Sequence, residues 1–125
     1  MITGVGTDIV AVSRLNKLLE RHGERALEKL LTPVERTEFS RSGNPARFLA
    51  KRFAAKEAFG KALGIGVSPP ATLLNIAVVH DALGKPMFDC APPLAAYLTE
   101  RRLCAHLSIS DERDFAVAFV VVECA

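Results

Sequence analysis

The sequence contains no tryptophan and a single tyrosine. Proteins that hold single-stranded nucleic acid stack bases on such rings, so this function is disfavoured from the outset. A net charge of +2 is also too small for a general nucleic-acid binder. Cysteine is scarce and odd in number, with Cys90, Cys104 and Cys124 and no CxxC spacing. A zinc site or a disulfide framework is therefore not expected, and three reduced thiols are. No stretch reaches the roughly 20 apolar residues needed to span a bilayer. The opening Met1-Ile2-Thr3-Gly4 lacks the basic, apolar, small-residue order of a signal peptide. The expectation is a cytoplasmic protein without a membrane anchor.

What is present fits one globular domain over residues 1–125, half apolar and about a quarter charged. Ile2 to Val12 reads as a buried strand of mostly β-branched residues, punctuated by Gly4 and Gly6. Ser13 is a fair N-cap for a helix from Arg14 to about His22, and a second short helix holds Ala26, Leu27, Leu30 and Leu31. Thr32-Pro33-Val34-Glu35 fits a capping box that opens a helix from Pro33 to about Phe39. The strongest helical stretch is Ala46 to Leu63, closed by Gly64-Ile65-Gly66. Strands follow at Leu73–Val79 and Met87–Cys90 around a Gly84-Lys85-Pro86 turn, then a helix at Pro92–Arg102. His106–Ser110 and Phe115–Glu123 complete a hairpin. About five strands and four or five helices in this order define an α+β fold, a small antiparallel sheet against a long helix.

Chemistry concentrates on two of these segments. In the long helix, Glu57 and Lys61 lie one turn apart beside the small residues Ala50, Ala54 and Ala58. This spacing permits an exposed salt bridge, and it also leaves room for something to approach the helix closely. Asp8 interrupts an apolar strand, a costly place for a carboxylate without a partner. It caps a turn, pairs with Arg14, or shares a cation with Glu57, and two carboxylates with few other protein ligands suit Mg²⁺. Arg47, Lys51, Arg52, Lys56 and Lys61 fall within one short span, which fits an anionic substrate, although Lys51 and Lys56 read as an ordinary solvated face. Gly64-Ile65-Gly66 has the composition of a phosphate-binding turn as well as of a helix cap. His106, Ser108 and Ser110 alternate onto one face of their strand. No G-x-S-x-G elbow accompanies them, which disfavours serine hydrolysis. His22 and His80 have no evident partners and read as surface residues.

Gly4-Val5-Gly6-Thr7-Asp8-Ile9-Val10, Leu31 to Glu35, Phe48 to Gly66, Gly84-Lys85-Pro86 and His106 to Asp111 together resemble the holo-(acyl carrier protein) synthase family of phosphopantetheinyl transferases. The stretches occur in the family's order over nearly the whole chain. The resemblance implies the phosphopantetheinyl transferase fold, assembled as a homotrimer with active sites at subunit interfaces. It implies transfer of 4′-phosphopantetheine from coenzyme A to a serine of an apo-acyl carrier protein, for fatty acid biosynthesis. By the same resemblance Asp8 and Glu57 would bind Mg²⁺ and Lys61 would lie near the pyrophosphate. Arg52, Gly64, Gly66, Lys85, Pro86, His106 and Ser108 would hold coenzyme A, some of them from a neighbouring subunit. Related two-lobed transferases carry a further acidic ligand where this chain has Val10. The carrier is expected to be acidic, with Arg14, Leu18, Arg21 and Arg25 as its docking face. The serine proton would pass to Glu57 or to a water on the metal. Two rival readings are a non-catalytic oligomeric binder of small anions and a nucleic-acid domain built on the basic helix.

Overall fold

A computed structural model describes residues 1–125. Strand β1 (Ile2–Ala11) leads into helices α1 (Val12–His22), α2 (Glu24–Leu30), α3 (Pro33–Phe39) and α4 (Pro45–Leu63). A 3₁₀ turn at Leu73–Asn75 precedes β2 (Ile76–His80) and β3 (Pro86–Cys90), and α5 (Pro92–Glu100), β4 (Leu103–Asp111) and β5 (Phe115–Cys124) follow. The strands form two antiparallel sheets, one of order β1-β5-β4 and a separate β2-β3 hairpin. The α+β architecture is as the sequence indicates. Two local readings are corrected. The first helix starts at Val12, with Ala11 as an N-cap that makes no side-chain bond, so Ser13 lies inside the helix. The second strand begins only at Ile76 because Leu73–Asn75 is coiled into the 3₁₀ turn.

The larger sheet lies across α4. Ala50, Ala54 and Ala58 of α4 are fully buried, as are Ala116, Ala118 and Val120 on the inner face of β5. Small residues on both surfaces let the helix axis come unusually near the strands. The approach is closest at β1. A Cβ on Gly4 would stand 1.8 Å from the Ala62 carbonyl oxygen, and one on Gly6 would stand 2.0 Å from that of Ala58. No side chain fits at either position. Thus the room beside Glu57 and Lys61 is filled by the protein's own first strand.

The reading of β1 as buried on both faces is overturned. Gly4, Gly6, Asp8 and Val10 face α4, whereas Ile2, Val5 and Ile9 are 53–64 % exposed on the opposite face. There they join the exposed Phe115 and Phe119 of β5. Val5 is paired with Val121, Thr7 with Phe119 and Ile9 with Val117. The ends of the chain meet at this sheet, where the Met1 amino group donates to the Cys124 carbonyl. No helix is long and apolar enough to cross a membrane.

Behind α4 the expectation for Lys56 also fails. Lys56 is completely buried and donates to Glu35 Oε1 at 2.6 Å, to the Leu30 carbonyl at 2.7 Å and to the Leu73 carbonyl at 3.0 Å. Its charge matches three acceptors, so all three ammonium donors are used. Glu35 fulfils the capping box with Thr32 and also accepts from the Val78 backbone N–H at 3.0 Å. One ion pair therefore ties α2, α3, α4, the 3₁₀ turn and β2 together. Arg52 extends it, donating to Glu38 at 2.5 Å and lying 3.8 Å from Glu35. Burial pulls the pKa of both Lys56 and Arg52 down, and the carboxylates beside them oppose that shift. Replacing Lys56 by Met removes the close cation of buried Glu35 and leaves only Arg52, 3.8 Å away, to offset its charge. The expected loss is about 3–5 kcal/mol, with substantial recovery in the K56M/E35M double variant, measured by urea unfolding. Equal stability of K56M and the wild type would contradict this assignment.

Candidate active site at the seam of the first strand and the long helix

The close packing of β1 on α4 places three charged side chains together. Asp8 follows Gly4 and Gly6 by the two-residue strand period and so points toward the helix. Lys61, in the last turn of α4, donates to Asp8 Oδ1 at 3.1 Å and to the Thr7 carbonyl at 3.0 Å. Glu57 lies one turn earlier on the same helix face and makes no hydrogen bond or ion pair. The expected salt bridge between Glu57 and Lys61 is thus not formed, and Asp8 pairs with Lys61 rather than with Arg14. Arg14 is nonetheless close enough for its charge to act on Glu57. Its guanidinium lies 5.3 Å from the centre of the Phe53 ring.

The electrostatics of Glu57 follow from this arrangement. Partial burial raises its pKa first, and the negative charge of Asp8 raises it further. Lys61 and Arg14 counteract part of the shift. Two carboxylates that repel each other, one of them with no protein partner, are a donor set that fits a hard divalent cation. No third acidic, histidine or cysteine side chain gathers with them.

The remaining residues fall into three groups. Arg52 is almost fully buried against Glu38, Glu35 and the Phe48 ring, so its guanidinium is engaged inside the fold. The N–H groups of Gly64, Ile65 and Gly66 turn back onto the carbonyls of Lys61 and Gly60, and Gly64 adopts the left-handed conformation of a helix cap. That segment closes α4 and offers no free backbone cradle, which corrects the phosphate-turn reading. Lys85 and Pro86 stand at the exposed β2–β3 turn, whose shape is held by Asp81 Oδ1 accepting from the N–H groups of Leu83 and Lys85. His106 and Ser108 are exposed on β4, paired with Val121 and Phe119. They occupy the sheet face that points away from α4. A single chain therefore keeps them on the opposite side of the sheet from Asp8, Glu57 and Lys61.

The proposed docking residues do share a surface. Leu18, His22, Arg25, Ala26, Lys29 and Leu30 line a groove of about 260 Å³ between α1 and α2. Arg14 and Arg21 flank Leu18 on the adjoining side with Lys17. His22 and Lys29 were not singled out by sequence. The recurrence of basic residues at helical spacing around Leu18 was the available signal, and it needed the α1–α2 packing to show which of them converge.

Residues 4–120 match the family described as ACPS, the 4′-phosphopantetheinyl transferase superfamily. This is the class that the fold and the paired carboxylates define. A holo-[acyl-carrier-protein] synthase of Dechloromonas aromatica (strain RCB) is 63% identical over 123 residues, covering 98% of each chain. The crystal structure of holo-[acyl-carrier-protein] synthase from Neisseria meningitidis superposes with a TM-score of 0.95 at 48% identity, covering 98% of this chain and 99% of that one. A holo-(acyl-carrier-protein) synthase from Bacillus anthracis str. Ames, in complex with CoA (3′,5′-ADP), gives a TM-score of 0.84 at 36% identity, covering 100% of this chain and 99% of that one. The chain belongs to the holo-[acyl-carrier-protein] synthase family within that superfamily.

The raised pKa of Glu57 has a direct stability consequence. A carboxyl group that holds its proton more tightly in the folded state favours folding when protonated and opposes it when ionised. Without divalent cations, stability should fall as pH rises from the ordinary glutamate range through the raised Glu57 pKa. Glu57→Gln should abolish this component and melt higher than the wild type at pH 7 in EDTA, as read by thermal unfolding. A lower melting temperature for E57Q would show that neither the burial of the ionised Glu57 nor its repulsion with Asp8 is a cost in the folded state.

Proposed function

We propose that this chain transfers 4′-phosphopantetheine from coenzyme A to a serine of an apo-acyl carrier protein, releasing adenosine 3′,5′-bisphosphate. The observation that carries the reading is the convergence of Asp8, Glu57 and Lys61 at one seam in a chain of this family. The coenzyme A bound in the Bacillus anthracis relative supports the donor. The carrier in the relatives' names supports the acceptor.

Asp8 and Glu57 would hold Mg²⁺, which supplies charge neutralisation at the donor's pyrophosphate. The reaction forms a bond between the serine oxygen and the phosphorus bearing pantetheine, and it breaks the pyrophosphate bond to the nucleotide. Negative charge grows on the departing 3′,5′-bisphosphate, and the ammonium of Lys61 is the chain's own group to stabilise it. The serine proton needs an acceptor, which Glu57 or a water on the metal would provide. Coenzyme A would extend to Lys85, Pro86, His106 and Ser108, with Gly64 and Gly66 at the end of α4, while Arg52, held inside the fold by Glu38 and Glu35, would only brace the helix.

The geometry of the sheet supports an assembled form. His106 and Ser108 cannot join Asp8 and Glu57 within one chain, and the exposed Val5, Ile9, Phe115 and Phe119 form an apolar surface beside them. A homotrimer that covers this face would bring the two halves of the site together across subunits. We place the reaction in the cytoplasm, in the supply of carriers for fatty acid biosynthesis. A non-catalytic anion binder would not require two opposed carboxylates at the seam.

Intact-mass spectrometry of apo-carrier incubated with this protein, coenzyme A and Mg²⁺ tests the reaction. The expected result is a gain of one phosphopantetheine that is lost in EDTA and in Glu57→Ala. No gain with several apo-carriers would favour the binding reading. The docking face is tested best at Arg21 and Arg25, because Arg14 also acts on Glu57. The R21E/R25E double reversal should raise KM for the carrier at least tenfold while leaving KM for coenzyme A nearly unchanged. Parallel increases in both constants would remove these arginines from the docking face.

A further inference from the structure

Lys61 contacts Asp8, one of the two carboxylates that would hold the proposed cation. Lys61 Nζ is 3.1 Å from Asp8 Oδ1 and 3.0 Å from the Thr7 carbonyl. An ammonium and a divalent ion cannot both occupy that side of the Asp8 carboxylate, because they compete for the same oxygen and repel each other. The two ends of the ion pair differ in freedom. Asp8 is 17 % exposed and fixed on a strand, whereas the Lys61 side chain is 51 % exposed at the end of α4. When a second cation arrives, the lysine is the partner able to leave. Glu57, beside it with no hydrogen-bond partner of its own, favours the exchange, since a divalent ion offsets its repulsion with Asp8 more fully than the single charge of Lys61.

We propose that Lys61 is a resident counter-ion for Asp8 that the divalent cation displaces. The displaced ammonium swings to the open side of the seam, where a phosphate of the donor would meet it. Cation loading and presentation of Lys61 are thus one exchange. Lys61 holds the strand carboxylate in place beforehand and becomes available to the substrate only once the metal has taken its position. The inference rests on the reading of Asp8 and Glu57 as metal ligands.

The test uses Mn²⁺ alone, with neither coenzyme A nor carrier, and reads free Mn²⁺ by electron paramagnetic resonance. Lys61→Met should bind Mn²⁺ at least fivefold more tightly than the wild type. Arg14→Met removes a positive charge from the same neighbourhood without touching Asp8, and should change the affinity by less than twofold. Circular dichroism checks that both variants are folded. In the wild type, the ¹⁵N side-chain signal of Lys61 should shift as Mg²⁺ is added, reporting loss of its bond to Asp8. Unchanged or weaker Mn²⁺ binding in K61M would overturn the exchange, as would an equal gain in R14M, which would reduce it to a general field effect. Failure of every protein to bind Mn²⁺ would instead remove the metal site itself and the exchange with it.

Discussion

The distance between β1 and α4 sets everything else in this molecule. Two glycines face two helix carbonyls with no space for a single methyl group. That approach is possible only because the helix presents alanine where most long helices present leucine. It places a strand carboxylate within reach of a lysine ammonium and beside a glutamate, with backbone rather than side chains separating the elements. An active site built on such a seam has its geometry fixed by main chain on both sides, which is the condition for holding charges at close range without drift. The Glu35–Lys56 pair serves the same end from the other side of the helix. It uses a neighbouring residue of α4 to lock the helix against four other segments, so the rotation that sets Glu57 is determined from behind.

The separation of His106 and Ser108 from Asp8 is equally informative. A β-sheet one residue thick cannot place alternate side chains in the same cleft. The functional reading and the single-chain geometry are reconciled when one copy's outer sheet face meets another copy's seam. The outer sheet face thus carries exposed Val5, Ile9 and Phe119 next to a histidine and a serine, a mixed apolar and polar surface.

Much of this was legible in the sequence, and the failures share one cause. Periodicity and capping residues located every helix, and the Thr32–Glu35 box is formed as expected. Asp8, Glu57 and Lys61 could be singled out because a carboxylate amid β-branched residues and a Glu–Lys repeat beside alanines are local anomalies. Lys56 was misjudged because its three partners come from segments 17 to 26 positions away in sequence. Nothing near Lys56 in sequence distinguishes it from Lys51, which is half-exposed and lies 3.7 Å from Asp111. The two-sided burial assigned to β1 failed similarly. Ile2, Val5 and Ile9 satisfy the pattern of a buried strand, but no element of this chain covers them. The Gly64–Gly66 segment could be read as a cap or a cradle from composition, and only the direction of its N–H groups decides.

The pairing of Met1 with Cys124 carries an implication for synthesis. The only strand that hydrogen-bonds to β1 is β5, the final strand of the chain. On the ribosome the first ten residues therefore emerge long before their partner exists, and they must wait through the making of every helix. Closing a loop of that span is the most entropically demanding contact in the fold. Asp8 is thus made well before β5, the strand whose pairing fixes it in position. A chain lacking β5 would have no sheet partner for β1, and the Asp8 carboxylate would not be held opposite α4.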